Sequence, residues 1–134
     1  MLLLRTLAGS RLYGTAGPDS DWDWYEVHDH VRPRQSKRGG IDTIRMPLSK
    51  WIMLCEKGTH QALDALWCPP ELAEVDLLTP WRWQVRIDPY RVADQLERTA
   101  HSMISQKHTP RLLHCAGRVR ERGWYDPSEW GRIV

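Results

Sequence analysis

The stretch LLLRTLAGSRLYGTAGPDSDWD, residues 2–23, decides the fold of this chain. Residues 2–8 are short and mostly apolar and end at a Gly-Ser pair, which predicts a buried strand. Residues 9–20 are rich in Gly, Ser, Thr, Pro and Asp, so we expect a turn-bearing loop with room for one helical turn. Residues 21–30 then alternate with a period of two, which predicts a second strand.

The second predicted strand places two carboxylates on one face. Asp21 and Asp23 are two residues apart, so their Cα atoms are about 6.6 Å apart in an extended strand. Such carboxylates repel each other unless a cation lies between them, and Mg²⁺ prefers one or two carboxylates completed by water and phosphate oxygens. Asp42, near the start of a third predicted strand over residues 41–46, is the candidate for a third carboxylate. We therefore predict a site for Mg²⁺, with Mn²⁺ as the alternative ion, at Asp21, Asp23 and Asp42.

The Gly9-Ser10 pair that follows the first strand indicates a phosphate site. A strand that opens into a Gly-Ser turn and a helical start presents free backbone N–H groups, which suit phosphate oxygens. Gly9 lets the backbone approach a ligand closely, and the Ser10 hydroxyl can donate to a phosphate. The chain has no GxxxxGK[ST] element, so a Walker-type loop is excluded.

Beyond this region the sequence predicts mainly helices. The basic segment 31–40 is predicted to be a loop, and residues 71–87 are left open, with a strand over 81–87 as one interpretation. Apolar positions at helical spacing, with Gly or Pro at the ends, indicate helices over 48–58, 60–67, 89–103 and 109–121. The third of these helices presents Val92, Leu96, Ala100 and Met103 on one face. The predicted fold is a single α+β domain over residues 1–134, with a small mixed sheet flanked by helices and a helical C-terminal half.

Composition excludes several classes of protein. The three cysteines include no CxxC pair, which argues against a disulfide framework and a structural zinc site. The apolar start is too short for a signal peptide, and no run approaches the roughly 20 apolar residues of a membrane span. The net charge of +2 says little about partners. We therefore predict a soluble cytoplasmic protein without a membrane partner.

The spacing of the first motif resembles a known family. Gly9-Ser10-x-x-x-Gly14-x-x-x-x-x-Ser20-Asp21-x-Asp23 is similar to the signature of the DNA polymerase β-type nucleotidyltransferase superfamily. Two branches of it come close. Minimal nucleotidyltransferases, which pair with a helical partner protein in toxin–antitoxin modules, usually have Arg where this chain has Tyr13. A group of predicted bacterial and phage nucleotidyltransferases has Tyr at that place.

Two later segments also resemble the second group. Residues 48–67 resemble a pattern in which this chain has Asp64 where the group usually has Glu. Lys107-His108-Thr-Pro-Arg111-Leu-Leu resembles the group's terminal helix. With these segments the resemblance reaches residues 1–122.

The resemblance implies a reaction and a set of site residues. The reaction is transfer of a nucleoside monophosphate from an NTP to an acceptor hydroxyl, with release of pyrophosphate. The implied metal ligands are Asp21, Asp23 and Asp42, and Asp42 would also help to deprotonate the acceptor. The residues expected to bind the nucleotide are Gly9, Ser10, Tyr13, Ser20, Lys50, His108 and Arg111. The acceptor is left open among an RNA end, a protein and a small molecule, as is a partner protein of the toxin–antitoxin kind.

Two alternatives come from other classes of protein. A non-catalytic, antitoxin-like module on the same fold would cap a partner protein, although the set of three carboxylates argues against it. A nucleic-acid-binding domain would place the basic residues 32–38 on phosphates and Trp22 and Trp24 on bases. For these two tryptophans we predict core packing behind the metal site instead.

Overall fold

The protein is described by a computed structural model over residues 1–78, 80–102 and 107–134. The strands of its sheet, numbered in chain order, are β1 Leu2–Ala8, β2 Trp22–His28, β3 Arg34–Arg38, β4 Ile41–Pro47 and β5 Ala73–Asp76. Their spatial order is β3-β4-β2-β1-β5. Strands β2 and β4 are parallel, and every other neighbouring pair is antiparallel. The first residues of β2 and β4 therefore lie at the same end of the sheet, beside the last residues of β1.

Along the chain, helices connect several of the strands and form most of the C-terminal half. They are α1 Gly9–Tyr13, α2 Leu48–Lys57, α3 His60–Leu66, α4 Pro89–Ser102, α5 Thr109–Arg122 and α6 Trp130–Ile133. Helices α2 and α3 pack against the sheet, and α4 packs against both α2 and α5. The predicted α+β class, the mixed sheet and the helical C-terminal half are confirmed.

A hydrophobic core lies between the helices and one face of the sheet. Tyr25 and Val27 of β2, Trp51 of α2 and Leu63 of α3 are each at most 2% exposed. The indole N–H of Trp51 donates to the carbonyl of Ala62 at 3.2 Å, so the polar edge of this buried ring has a partner. In the described part of the chain, no helix has both the length and the apolar composition needed to cross a bilayer.

The prediction that residues 31–40 form a loop was wrong, because they contain strand β3. This strand pairs antiparallel with β4, and Gly39 and Gly40, both with positive φ, form the two-residue turn between them. Strand β3 lies at the edge of the sheet, where long charged side chains remain in solvent while the backbone pairs on one side. Such a strand lacks the apolar alternation that identifies a half-buried strand.

The strand interpretation of residues 81–87 was also wrong, because Trp81–Gln84 form a 3₁₀ turn. The edge strand of this region is β5, which pairs with β1. The turn is held by the buried guanidinium of Arg82, whose Nη1 donates to the carbonyls of Ala65, Leu66 and Cys68. These long-range hydrogen bonds leave no local pattern in the sequence. Met103, predicted on the inner face of α4, lies outside the described residues.

The prediction that Trp22 and Trp24 pack in the core was wrong. Alternation along β2 turns Tyr25 and Val27 toward the helices and both tryptophans toward the opposite face of the sheet. Trp22 is 44% exposed there. On that face the rings are covered by the guanidinium groups of Arg11 and Arg5 instead of by apolar core side chains.

Candidate functional site

A pocket of about 280 Å³ opens at the end of the sheet where β1 finishes and β2 and β4 begin. Its wall includes six of the ten predicted site residues, which are Gly9, Tyr13, Asp23, Asp42, His108 and Arg111. Within the described part of the chain, the wall does not include the other four, which are Ser10, Ser20, Asp21 and Lys50. One side of the pocket is formed by carboxylates from the sheet, and the other by basic and aromatic side chains from helices.

The carboxylate side is built by the register of the parallel pair. Asp23 of β2 lies directly beside Asp42 of β4, so both side chains point to the same face of the sheet. Gln35, on the neighbouring strand β3, donates from Nε2 to Oδ1 and Oδ2 of Asp42 at 3.2 and 3.1 Å. Partial burial raises the pKa of Asp23, and the charges of Asp42 and Asp21 raise it further. Negative charge is thus concentrated at a place where a cation would relieve the repulsion.

Gly9 forms the floor of the pocket beneath Asp23. It begins α1 with φ +60°, a left-handed conformation that side chains rarely adopt. A Cβ added at this position would collide with Oδ2 of Asp23 and would lie 3.0 Å from its Cγ. The absence of a side chain therefore lets the strand end and the carboxylate approach each other closely.

We expect a Gly9→Ala substitution to destabilise the protein and to displace Asp23. The left-handed backbone alone should lower the free energy of unfolding by about 1–3 kcal/mol. Gly39→Ala is a matched control, because Gly39 has φ +59° but an added Cβ would meet nothing within 4 Å. Denaturant unfolding measures the free energy of unfolding of both variants. The additional loss in Gly9→Ala reports the collision with Asp23. Equal losses in the two variants would show that the collision has no effect.

Among the described residues, the pocket wall does not include Asp21, although its charge acts on Asp23. The strand β2 begins one residue after it, and its exposed side chain lies 3.7 Å from Nζ of Lys37. Among residues 1–78, 80–102 and 107–134, no group of three or more His, Cys, Asp or Glu side chains is arranged to hold a metal ion. The pair Asp23 and Asp42 nevertheless fits Mg²⁺, which usually keeps several waters and binds one or two carboxylates together with substrate phosphates.

The remaining three predicted residues have other surroundings. Ser10 is half-buried in α1, where its carbonyl accepts from the N–H of Thr15 at 3.0 Å. The Ser20 hydroxyl accepts from the N–H of Gly17 at 2.9 Å, and this hydrogen bond orders the loop before β2. Lys50 is half-buried in α2.

The opposite side of the pocket rests on a buried polar cluster around Asp64. This carboxylate, 2% exposed, accepts from the hydroxyl of Tyr13 at 2.6 Å and from that of Tyr125 at 2.5 Å. Burial raises the pKa of both tyrosines, and the charge of Asp64 raises it further, so both hydroxyls remain donors. Nη1 of Arg111 lies 4.0 Å from Oδ1 of Asp64, and its Cζ lies 3.7 Å above the ring of Tyr13. The ion pair and the ring together fix the guanidinium at the pocket wall.

Arg111 has hydrogen-bonding capacity left over. It is 3% exposed, and its Nε and Nη1 have no hydrogen-bond partner among the described residues. Burial disfavours its charged form, but Asp64 together with the neighbouring Tyr13, Cys115 and Tyr125 outweighs burial, so the pKa of Arg111 is raised. A permanently charged donor with unmade hydrogen bonds suits a phosphate or carboxylate ligand.

Two histidines complete this side. His60 Nδ1 is buried without a partner in the part of the chain that the structure describes. Burial lowers the pKa of His60, and it lowers that of His108, where the charges of Arg111 and Lys107 add to the effect. Both imidazoles are therefore neutral at neutral pH, and each can donate or accept a hydrogen bond.

Sequence reasoning assigned no role to Asp64, Tyr125, His60 or Gln35. A signal for Asp64 was present, because it is the one charged residue in the apolar run Ala62–Trp67 and buried carboxylates need partners. Tyr125 follows the last long helix and Gln35 lies on the unrecognised strand β3. Their contacts depend on tertiary structure alone.

Two comparisons of the sequence with known proteins give no relative. A scan against protein-family models finds no match, and no curated protein matches the sequence. Membership of the polymerase β-type nucleotidyltransferase superfamily therefore stays a prediction that rests on the spacing from Gly9 to Asp23.

Proposed function

We propose that this protein is a metal-dependent nucleotidyltransferase, which moves a nucleoside monophosphate from an NTP to an acceptor hydroxyl and releases pyrophosphate. The observation that carries the proposal is the pairing of Asp23 with Asp42 above the backbone of Gly9, in one pocket with Arg111. A carboxylate pair facing a buried guanidinium matches a ligand that brings both a cation and phosphate oxygens.

In this proposal Asp23 and Asp42 hold Mg²⁺ or Mn²⁺. The ion would stabilise the negative charge that develops on the phosphate oxygens during transfer. The acceptor oxygen forms a bond to the α-phosphorus, the bond from that phosphorus to the bridging oxygen breaks, and pyrophosphate leaves. The proton of the acceptor hydroxyl goes to a carboxylate oxygen of Asp42, which Gln35 keeps oriented through its two hydrogen bonds.

The basic side of the pocket would bind the nucleotide phosphates. Arg111 offers two buried donors, and Tyr13 and Asp64 keep its guanidinium in place. His108 lies on the same wall and contributes a neutral hydrogen-bonding group. Gly9 lies on the same pocket wall, where its lack of a side chain leaves room for the carboxylate of Asp23.

A labelling experiment tests the proposal. The protein is incubated with each α-labelled NTP, with Mg²⁺ or Mn²⁺, and with RNA, cell extract or the protein itself as acceptor. We expect label on one class of acceptor, dependent on the metal ion and accompanied by pyrophosphate. Binding of NTP and metal without transfer to any acceptor would favour a non-catalytic binding module. Failure to bind NTP with metal at all would overturn the proposal.

The raised pKa of Asp23 predicts how stability depends on pH and metal. The pKa of Asp23 is higher in the folded protein than in the unfolded chain. Such a carboxyl does not change the free energy of unfolding below its unfolded pKa, but it lowers that free energy increasingly as the pH rises through the folded pKa. Relative to Asp23→Asn, the metal-free protein should therefore lose stability as pH rises through this acidic window. Mg²⁺ at neutral pH should restore it, because binding to the folded state alone stabilises that state. Thermal unfolding of both proteins across pH, with and without Mg²⁺, measures both effects.

A further inference from the structure

The face of the sheet that points away from the helices has a second set of functional groups. The register places Arg34 of β3 beside Arg45 of β4, and Arg38 beside Ile41. It also places Trp22 beside Ile41, on the same face. The basic strand β3 and the two tryptophans of β2 thus share one surface, which we call the open sheet face: Arg5, Arg11, Trp22, Trp24, Arg34, Arg38 and Arg45.

The two tryptophans are held in a fixed order along β2. Their rings are nearly parallel, with an interplanar angle of 11° and centroids 6.2 Å apart. The guanidinium of Arg11 lies 3.8 Å from the centroid of Trp22, and that of Arg5 lies 3.8 Å from the centroid of Trp24. Arg5 lies beside Glu26, on the side of Trp24 away from Trp22. The order along the strand is therefore guanidinium, indole, indole, guanidinium.

Hydrogen bonds keep both guanidinium groups in position. Arg11 donates from Nη2 to the carbonyl of Ser20 at 2.7 Å, and Arg5 donates from Nε to Glu26 at 2.9 Å. The indole pair therefore lies between two anchored guanidinium groups.

A planar ring can enter between the two indoles only if they move apart. Two van der Waals contacts of about 3.5 Å each require a separation of about 7 Å. The centroids of Trp22 and Trp24 are 6.2 Å apart, so the spacing between the ring planes is at most that distance, and the indoles must move apart by at least about 0.8 Å to admit a nucleobase. Trp22 is 44% exposed, which leaves one side of the gap open to solvent.

Positive charge on the open sheet face is only partly neutralised. Glu26 binds Arg5 and Arg45. Arg34 and Arg38 are exposed on the outer strand and have no ion pair among the described residues. Two unpaired guanidiniums on the same face of the sheet as a pair of aromatic rings match the repeating unit of a nucleic acid, in which each base is accompanied by a phosphate.

We propose that the open sheet face binds single-stranded nucleic acid, with a base between Trp22 and Trp24 and the adjoining phosphates on Arg34 and Arg38. A single strand is required, because the bases of a duplex are already stacked and cannot enter the gap. The binding needs neither NTP nor Mg²⁺. It is therefore independent of the proposed transfer reaction.

Fluorescence anisotropy tests this site with labelled RNA and DNA oligonucleotides of about 12 nucleotides, without NTP and with EDTA. We expect the wild type to bind single strands more tightly than the same sequence as a duplex. The variant W22A/W24A should weaken binding to single strands by at least about 10-fold. Trp83→Ala is the matched control, because Trp83 is 68% exposed but lies in the 3₁₀ turn after β5.

A second pair of variants tests the phosphate contacts. R34A/R38A should weaken binding and lower the slope of log affinity against log salt by about 1.4. R91A/R98A, which removes two exposed arginines of α4, should leave both unchanged. Circular dichroism confirms that each variant is folded. Absence of single-strand binding at low salt, or equal losses in the test and control variants, would overturn the proposal.

Discussion

Replacing Asp23 by Asn should reduce the binding of NTP with Mg²⁺ by at least about 100-fold, because even groups that only orient metal ligands contribute 10–100-fold to metal affinity. Asp23 is fixed by two neighbours: it lies beside Asp42 on the parallel strand, and its carboxylate packs against the backbone of Gly9. The same substitution should raise the stability of the metal-free protein, since it removes a carboxylate whose ionised form is disfavoured. Opposite changes in binding and stability would separate a lost ligand from an unfolded protein.

Isothermal titration with Mg²⁺ and a non-hydrolysable NTP, together with the labelling assay, measures the effect of Asp23→Asn. Asp19→Asn is the control, because Asp19 is exposed in the loop before β2. Asp42→Asn should match Asp23→Asn. If both variants bind the nucleotide and the metal as the wild type does, the carboxylate pair is not the metal site.

Asp21→Asn decides the role of the third carboxylate. The sequence predicts Asp21 as a metal ligand, whereas in the structure its side chain lies beside Lys37. A loss comparable to that of Asp23→Asn would mean that Asp21 leaves Lys37 and joins the metal site. A loss close to that of Asp19→Asn would leave a site with two protein carboxylates.

The parts of the site that follow from local pattern were predictable. Residues 2–8 and the alternation after Asp21 identify β1 and β2, and these two strands with β4 position Gly9, Asp23 and Asp42. The direct pairing of Asp23 with Asp42 was not predictable in detail, because it depends on the register of a parallel pair. That register is set by the burial of Tyr25 and Ile44 on the core face rather than by the carboxylates.

The parts that depend on long-range polar contacts were not predictable. Asp64 receives its two tyrosine donors from segments 51 and 61 residues away along the chain. Arg82 donates to three carbonyls at the end of α3. These hydrogen bonds hold residues 81–84 in a 3₁₀ turn where the local sequence suggested a strand. Polar side chains of this kind carry no periodicity, and their partners emerge only when the packing is known.

We expect Asp64→Ala to lower the free energy of unfolding by about 3–5 kcal/mol, the range for removing one partner of a buried ion pair. The substitution leaves the hydroxyls of Tyr13 and Tyr125 without an acceptor and the guanidinium of Arg111 without a counter-charge, all in the protein interior. Asp94→Ala is the matched control, since Asp94 pairs with Arg120 at 57% side-chain exposure and such surface pairs contribute at most about 1 kcal/mol.

The double variant D64L/R111M separates charge from packing. If the uncompensated guanidinium dominates the loss, removing both charges should recover much of the stability that Asp64→Ala loses, because apolar replacements of a buried ion pair are often neutral. The same variant should lose NTP binding, since Arg111 supplies the unpartnered donors at the pocket wall. Urea unfolding and nucleotide titration of wild type, single and double variants measure the two properties. A stable double variant that binds NTP normally would show that the Asp64 cluster supports the fold alone, and that the phosphates are held elsewhere in the pocket.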